Sequence, residues 1–118
     1  MAPAKGPYSP IVRAGDWLVT AGQVGIGGDG GLVDGGIQAQ TRQALRNIEA
    51  LLRQGGASLA DVVKTTVFLK DIDDWPAMNE AYVEVMGDSR PARSAFAVAA
   101  LPLGALVEIE AWAYVGAR

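Results

Sequence analysis

Val107-Glu108-Ile109-Glu110-Ala111-Trp112-Ala113-Tyr114-Val115 sorts its side chains with a period of two. Val107, Ile109, Ala111, Ala113 and Val115 fall on one side, and Glu108, Glu110, Trp112 and Tyr114 on the other. Successive side chains of a strand point to opposite faces, so the run reads as a strand with two different surfaces. Neither is an ordinary solvated surface, because the second carries two aromatic rings beside its carboxylates. The rest of the chain offers only two helices, enough to cover one face of a sheet. The sequence therefore predicts a sheet whose open face meets other copies of the same chain in a closed ring of cyclic symmetry.

The preceding elements follow by the same reasoning. Residues 93–99 form the neighbouring apolar strand, joined to 106–115 through Leu101-Pro102-Leu103-Gly104. A helix before it is announced by Asp73-Asp74 and Pro76, buries Met78, Ala81, Tyr82 and Val85, and closes at Gly87-Asp88. Residues 61–69 are β-branched and strand-like. Ile37, Thr41, Ala44, Leu45, Ile48, Leu51 and Leu52 share one helical face, while Gln40, Arg42, Gln43, Arg46 and Arg53 point away, and Gly55-Gly56 stops the helix. Residues 17–24 read as one strand, paired through a turn at Gly15-Asp16 with a shorter piece at 9–13. The glycine-laden stretch 25–36 reads as a loose connection. The expected order is β-β-α-β-α-β-β, a single α+β domain over residues 1–118 with two helices on one face of the sheet.

Composition narrows the chemistry. The chain has no histidine and no cysteine, which excludes disulfides, thiol nucleophiles and thiolate metal sites. Ten basic residues are scattered against thirteen acids, a balance that argues against a nucleic-acid partner. No stretch is long and apolar enough for a signal peptide or a membrane span, so a cytoplasmic protein with no membrane partner is expected. Half the residues are hydrophobic and only 19% are charged, an excess consistent with subunit contacts.

Two residues carry the remaining chemical signal. Arg93 stands where Pro91-Ala92-Arg93-Ser94-Ala95-Phe96 enters an apolar strand, and Glu108 sits inside the last one. A buried guanidinium needs an anion, which can be a surface carboxylate, a glutamate across an interface, or a ligand. A guanidinium can grip a planar carboxylate with two parallel hydrogen bonds, and a buried glutamate can steer a water molecule or pass protons. Together they suggest a pocket for a small acid. Glu108 is equally readable as structural, and Glu110 as an interface ion pair. Gly25-Ile-Gly27-Gly-Asp-Gly30 matches a dinucleotide-binding pattern, but its last glycine does not open a helix. Ser94 lacks a histidine, and a Ser-Lys pair would need Lys64 or Lys70 to reach it; a strand hydroxyl bonded to backbone is the simpler expectation. Tyr82 reads as a core residue with its hydroxyl reaching outward, and Tyr8 as held extended between two prolines.

The ordered blocks Gly6-Pro7-Tyr8-Ser9, Val19-Thr-Ala-Gly-Gln23, Gln40-Thr-Arg-Gln-Ala-Leu-Arg-Asn-Ile48, Val63-Lys-Thr-Thr-Val-Phe-Leu-Lys-Asp71, Met78-Asn-Glu-Ala-Tyr82, Pro91-Ala-Arg-Ser94 and Val107-Glu-Ile-Glu-Ala111 make the chain resemble the RidA (YjgF) family of reactive-intermediate deaminases over nearly its whole length. The resemblance implies a chorismate-mutase-like fold, a homotrimer with clefts between subunits, and hydrolysis of enamines and imines such as 2-aminoacrylate to 2-keto acids and ammonia. It implies no cofactor and no metal. On this chain Arg93 matches the arginine that grips the substrate carboxylate and Glu108 the glutamate that handles water. Tyr8 matches a cleft tyrosine, Gly22 a backbone position in the cleft wall, and Asn79 a helix residue near its rim. Ala21 stands where many members have serine, and Ala95 where many have cysteine, which removes polar groups from the cleft. The competing readings are a non-catalytic carboxylate-binding trimer acting as sensor or protein stabiliser, an endoribonuclease, and, on fold grounds alone, a chorismate mutase.

Overall fold

The computed structural model describes residues 6–117. Its strands and helices run β1 (Ile11–Ala14), β2 (Trp17–Thr20), β3 (Gln23–Val24), α1 (Gly36–Gln54), β4 (Val62–Leu69), α2 (Trp75–Met86), β5 (Ala92–Ala97) and β6 (Val107–Tyr114). All strands belong to one mixed sheet of order β1-β2-β6-β4-β5, with β3 paired to β6. Only β4 and β5 run parallel. Parallel neighbours need a crossover, and α2 is that crossover. The result is a small α+β domain with two helices on one face of its sheet.

The strand expected over 17–24 is two strands, parted at Ala21-Gly22. The Ala21 N–H donates to Pro10 O at 2.8 Å, continuing the β1–β2 register, while the pairing with β6 slips by one residue between Val19–Trp112 and Gln23–Ile109. Thr20, almost fully buried, accepts the Ala111 N–H on its Oγ1 at 3.0 Å, so a side chain does the work of a missing backbone carbonyl. Pairing with β6 resumes at Gln23, opposite Ile109.

The core lies between the helices and the inner face of β6 and β4. Ala44, Leu45, Ile48 and Leu52 of α1 and Met78 and Tyr82 of α2 pack with Val107, Ile109, Ala111 and Ala113. Burying each large aliphatic side chain contributes roughly 1.5–3 kcal/mol. On α2 the buried stripe is Met78, Ala81, Tyr82 and Met86, with the expected Val85 only partly buried beside it. Helix α1 ends at Gly55 as expected, and Gly56 adopts φ +82, a left-handed conformation that costs glycine little. Gln40 does not point away from α1's core side. It is buried and accepts the Leu106 N–H at 2.9 Å, which fixes where β6 begins.

The glycine stretch 25–36 is not a loose connection. Ile26 bridges Leu32, and the Gly27 N–H donates to Gly31 O at 2.9 Å. Asn47 of α1 donates to Val24 O and Ile26 O at 3.2 and 3.0 Å, holding this small hairpin against the helix.

The sheet face away from the helices carries Glu108, Glu110, Trp112 and Tyr114 of β6, as the alternation predicts. Trp17 meets Trp112 and Tyr114 edge-to-face there, with centroids 6.1 and 5.0 Å apart, and Phe68 meets Phe96 at 5.3 Å. Val12, Phe96 and Trp112 are exposed on this side of the isolated chain. Lys64 reaches Ser94 here, its Nζ donating to Oγ at 2.8 Å, so Ser94 bonds a side chain and not the backbone as expected.

Candidate active site

The parallel β4–β5 pairing decides where Arg93 goes. In register, Arg93 lies beside Thr65, and Thr65 beside Ala111, both on the helix side of the sheet. The crossover helix α2 runs over this edge and presents Trp75, Met78 and Tyr82 to it. The Arg93 guanidinium sits 4.9 Å from the Tyr82 ring centroid and 5.6 Å from that of Trp75. Its Nη1 lies 4.0 Å from the Met78 sulfur. Arg93 is half-buried, yet no carboxylate among the described residues pairs with it. Among the described residues its N–H fork makes only the one contact to the Met78 sulfur, a weak acceptor.

Tyr82 differs from expectation. Its hydroxyl turns inward and shares a 2.7 Å hydrogen bond with Thr65 Oγ1, both groups being buried. Burial is the larger influence on this phenol and raises its pKa above 10.0, against the opposing effects of the Thr65 bond and of Arg93 and Arg90.

Glu108 occupies the other face. Gly22, at the break between β2 and β3, presses against it: a Cβ built on Gly22 would lie 2.8 Å from Glu108 Cδ and closer still to Oε2. Ala21 adjoins this contact. Desolvation, then the like charge of Glu110, holds the Glu108 carboxyl above the ordinary glutamate value of 4.5. A carboxyl so placed keeps its proton to higher pH than a solvated one.

The residues expected to form one site thus fall into two groups. Gly22, Ala21 and Glu108 gather on the open face. Arg93 and Ala95 of β5 lie on the helix side, where Ala95 packs against the core, and Asn79 is carried by α2. Asn79 Oδ1 is sealed from solvent without a hydrogen-bond partner among the described residues. Tyr8 is more than half exposed, and its N–H donates to Gly6 O at 2.8 Å, so that segment bends where an extended course was expected. Arg93 and Glu108 lie on opposite faces of one sheet, and the single chain does not bring them together.

Sequence reasoning passed over Trp75 and Thr65 and gave Tyr82 only a core role. Trp75 and Tyr82 lie two helical turns apart, so the stripe itself was readable. What it faces depends on the parallel pairing, which no local pattern encodes. Among the described residues no group of three or more His, Cys, Asp and Glu could hold a metal ion. None of the helices described is long and apolar enough to cross a membrane.

Comparison with known proteins agrees with this architecture. A family model described as endoribonuclease L-PSP matches residues 1–115. A RutC family protein of Pyrococcus horikoshii is 52% identical over 110 residues, covering 92% of this chain and 87% of its own length. The 2-iminobutanoate/2-iminopropanoate deaminase of Mus musculus is 45% identical over 117 residues, covering 98% of this chain and 87% of its own. RidA from an Antarctic Psychrobacter has a solved structure similar to this one with a TM-score of 0.91 and 41% identity, over 97% of this chain and 94% of that one.

Proposed function

The chain belongs to the YjgF/RidA family, whose model carries the endoribonuclease L-PSP description, and we propose that it hydrolyses 2-imino acids to 2-keto acids and ammonia. The observation that carries this reading is the half-buried Arg93 guanidinium with no internal carboxylate partner among the described residues. Burying a cation without an anion costs several kcal/mol in general, so an incoming carboxylate is the partner this geometry suits. The deaminase name borne by the mouse relative supports the same substrate class.

In this reading the working unit is a homotrimer. Arg93 of one copy and Glu108 of the next would face a shared cleft, which accounts for their separation on opposite faces and for the apolar rings on the open side. Arg93 anchors the substrate carboxylate and orients the adjacent carbon–nitrogen bond. An enamine first takes a proton from solvent at its terminal carbon and gives one back from nitrogen, becoming an imine. Water, held by Glu108, adds to the imine carbon. Glu108 passes the proton it takes from the water to the imine nitrogen, giving the carbinolamine; the hydroxyl proton then travels, again through Glu108, to the amine nitrogen as the carbon–nitrogen bond breaks and ammonia leaves. The sum is imine plus water giving ketone plus ammonia. Gly22, Ala21, Asn79, Ala95 and Tyr8 form the cleft wall in this arrangement, and the alanines leave it less polar. No cofactor or metal enters the scheme, and the setting proposed is cytoplasmic.

A ribonuclease reading finds less support: there is no histidine, and ten cations are dispersed among thirteen acids. The test of the deaminase reading couples a threonine or serine dehydratase to this protein and follows keto-acid appearance. Keto acid should form faster with the parent protein than without it, and Arg93→Ala should abolish the gain. A rate equal to the buffer control would overturn the assignment.

A further inference from the structure

We infer that Trp75 and Tyr82 are positioning residues which hold the Arg93 guanidinium by its flat faces, so that its in-plane N–H fork stays free for an anionic ligand. The inference rests on the reading that Arg93 receives a substrate carboxylate, and it names what keeps that receptor in place.

A half-buried arginine has to be held by a group of the fold. A carboxylate partner holds it by occupying the fork of N–H donors, and it thereby removes the group from other use. A guanidinium also has two π faces, weakly hydrated and suited to aromatic rings. Attraction to a ring is effective out to about 6 Å between the cation and the centroid. Arg93 lies within that reach of two rings, at 4.9 Å from Tyr82 and 5.6 Å from Trp75, and pairs with no carboxylate among the described residues. The rings therefore restrain the cation without a carboxylate, and among the described residues the one donor spent is Nη1, on the weak acceptor sulfur of Met78 at 4.0 Å.

The support behind the rings is itself fixed. The Tyr82 hydroxyl bonds Thr65 Oγ1 at 2.7 Å beneath the sheet surface, and Thr65 is Arg93's own register partner across β4 and β5. The ring and the arginine are thus referred to one point of the sheet. Burial keeps the Tyr82 phenol protonated to higher pH, so it does not become an anion competing for Arg93. Trp75 opens α2 directly after the turn in which Asp71 Oδ1 accepts the Asp73 N–H at 2.9 Å.

The test replaces Trp75 site-specifically with progressively fluorinated tryptophans, which keep the indole shape while draining negative charge from its face. Binding of 2-oxobutanoate to the intact protein is followed by calorimetry, and imine hydrolysis by KM and kcat. A stepwise weakening of 2-oxobutanoate binding is expected, reaching roughly three- to tenfold. KM should rise by a similar factor with kcat nearly unchanged, since a carboxylate clamp acts alike on substrate and transition state. Trp75→Leu should show the full loss and Trp75→Phe should recover most of it. The Arg93 side-chain protons should show upfield ring-current shifts in NMR spectra that relax in Trp75→Leu. A flat response to fluorination, with parent-like Arg93 shifts in Trp75→Leu, would overturn the inference. If the parent protein hydrolyses no imine, the deaminase reading fails separately, and the Arg93 shifts with 2-oxobutanoate affinity still decide the role of the rings.

Discussion

Gly22 and Glu108 touch so closely that any side chain on the first must move the carboxyl of the second. The contact joins the break between β2 and β3 to the candidate water-handling group. The atoms in the way belong to the end of a flexible side chain, so a substitution should displace Glu108 and spare the fold. Gly22→Ala is therefore expected to melt within a few degrees of the parent while losing roughly tenfold to a hundredfold in kcat, the usual cost of misplacing a reacting group by about 1 Å. A steady-state assay beside a thermal melt checks both halves.

Glu108 titrates above an ordinary glutamate, because of desolvation first and Glu110 second. Glu110→Gln removes the like charge and should draw the Glu108 titration downward without restoring the solvated value, as seen by carbon-13 NMR of the carboxyl carbon. The acid limb of the imine hydrolysis profile should move to lower pH with it. For stability the sign is the reverse of a salt-bridged acid. Between the unfolded pKa and the raised folded one, the folded chain binds more protons, so stability falls as pH rises through that window. Glu108→Gln should flatten this slope in denaturant titrations from pH 4 to 7.

The Thr65–Tyr82 hydrogen bond is buried at both ends. Tyr82→Phe leaves the Thr65 hydroxyl without its partner and should cost about 1–3 kcal/mol in urea unfolding. Adding Thr65→Val should return much of that loss, because both polar partners are then gone together. A double-mutant cycle that sums without coupling would remove the bond from the account of stability.

Arg93→Ala and Glu108→Gln, each expected to be inactive alone, should recover activity when unfolded together and refolded as mixed assemblies. Separately refolded and then combined samples should stay inactive until subunits exchange. Activity that never returns on co-refolding would place both residues in a site made by one chain.

Much of the fold was legible because it is written in short periods. The alternation of 107–115 and the 3.6-residue stripe from Ile37 to Leu52 each depend on neighbours a few positions apart. The break at Ala21-Gly22 was not legible, because Val19-Thr-Ala-Gly-Gln23 alternates acceptably and only the register against the distant β6, where the Ala111 N–H turns to Thr20 Oγ1, reveals the slip. Asn47 and Gln40 were hidden for a related reason: each sits on a helix as a polar residue should, and only the distant carbonyls or N–H they meet reveal a structural task. Arg93 could be picked out as an isolated cation entering a strand. That its neighbours are Trp75 and Tyr82, and that Glu108 stands behind the sheet from it, required the parallel order of β4 and β5.

On the proposed function, the back-to-back disposition of Arg93 and Glu108 gives a newly made polypeptide both reagents and no means of using them on one molecule, and chemistry begins at the encounter of copies. Turnover per chain should grow with protein concentration toward a plateau and fade on dilution, as it does for any reaction whose vessel has to be put together before it can be filled.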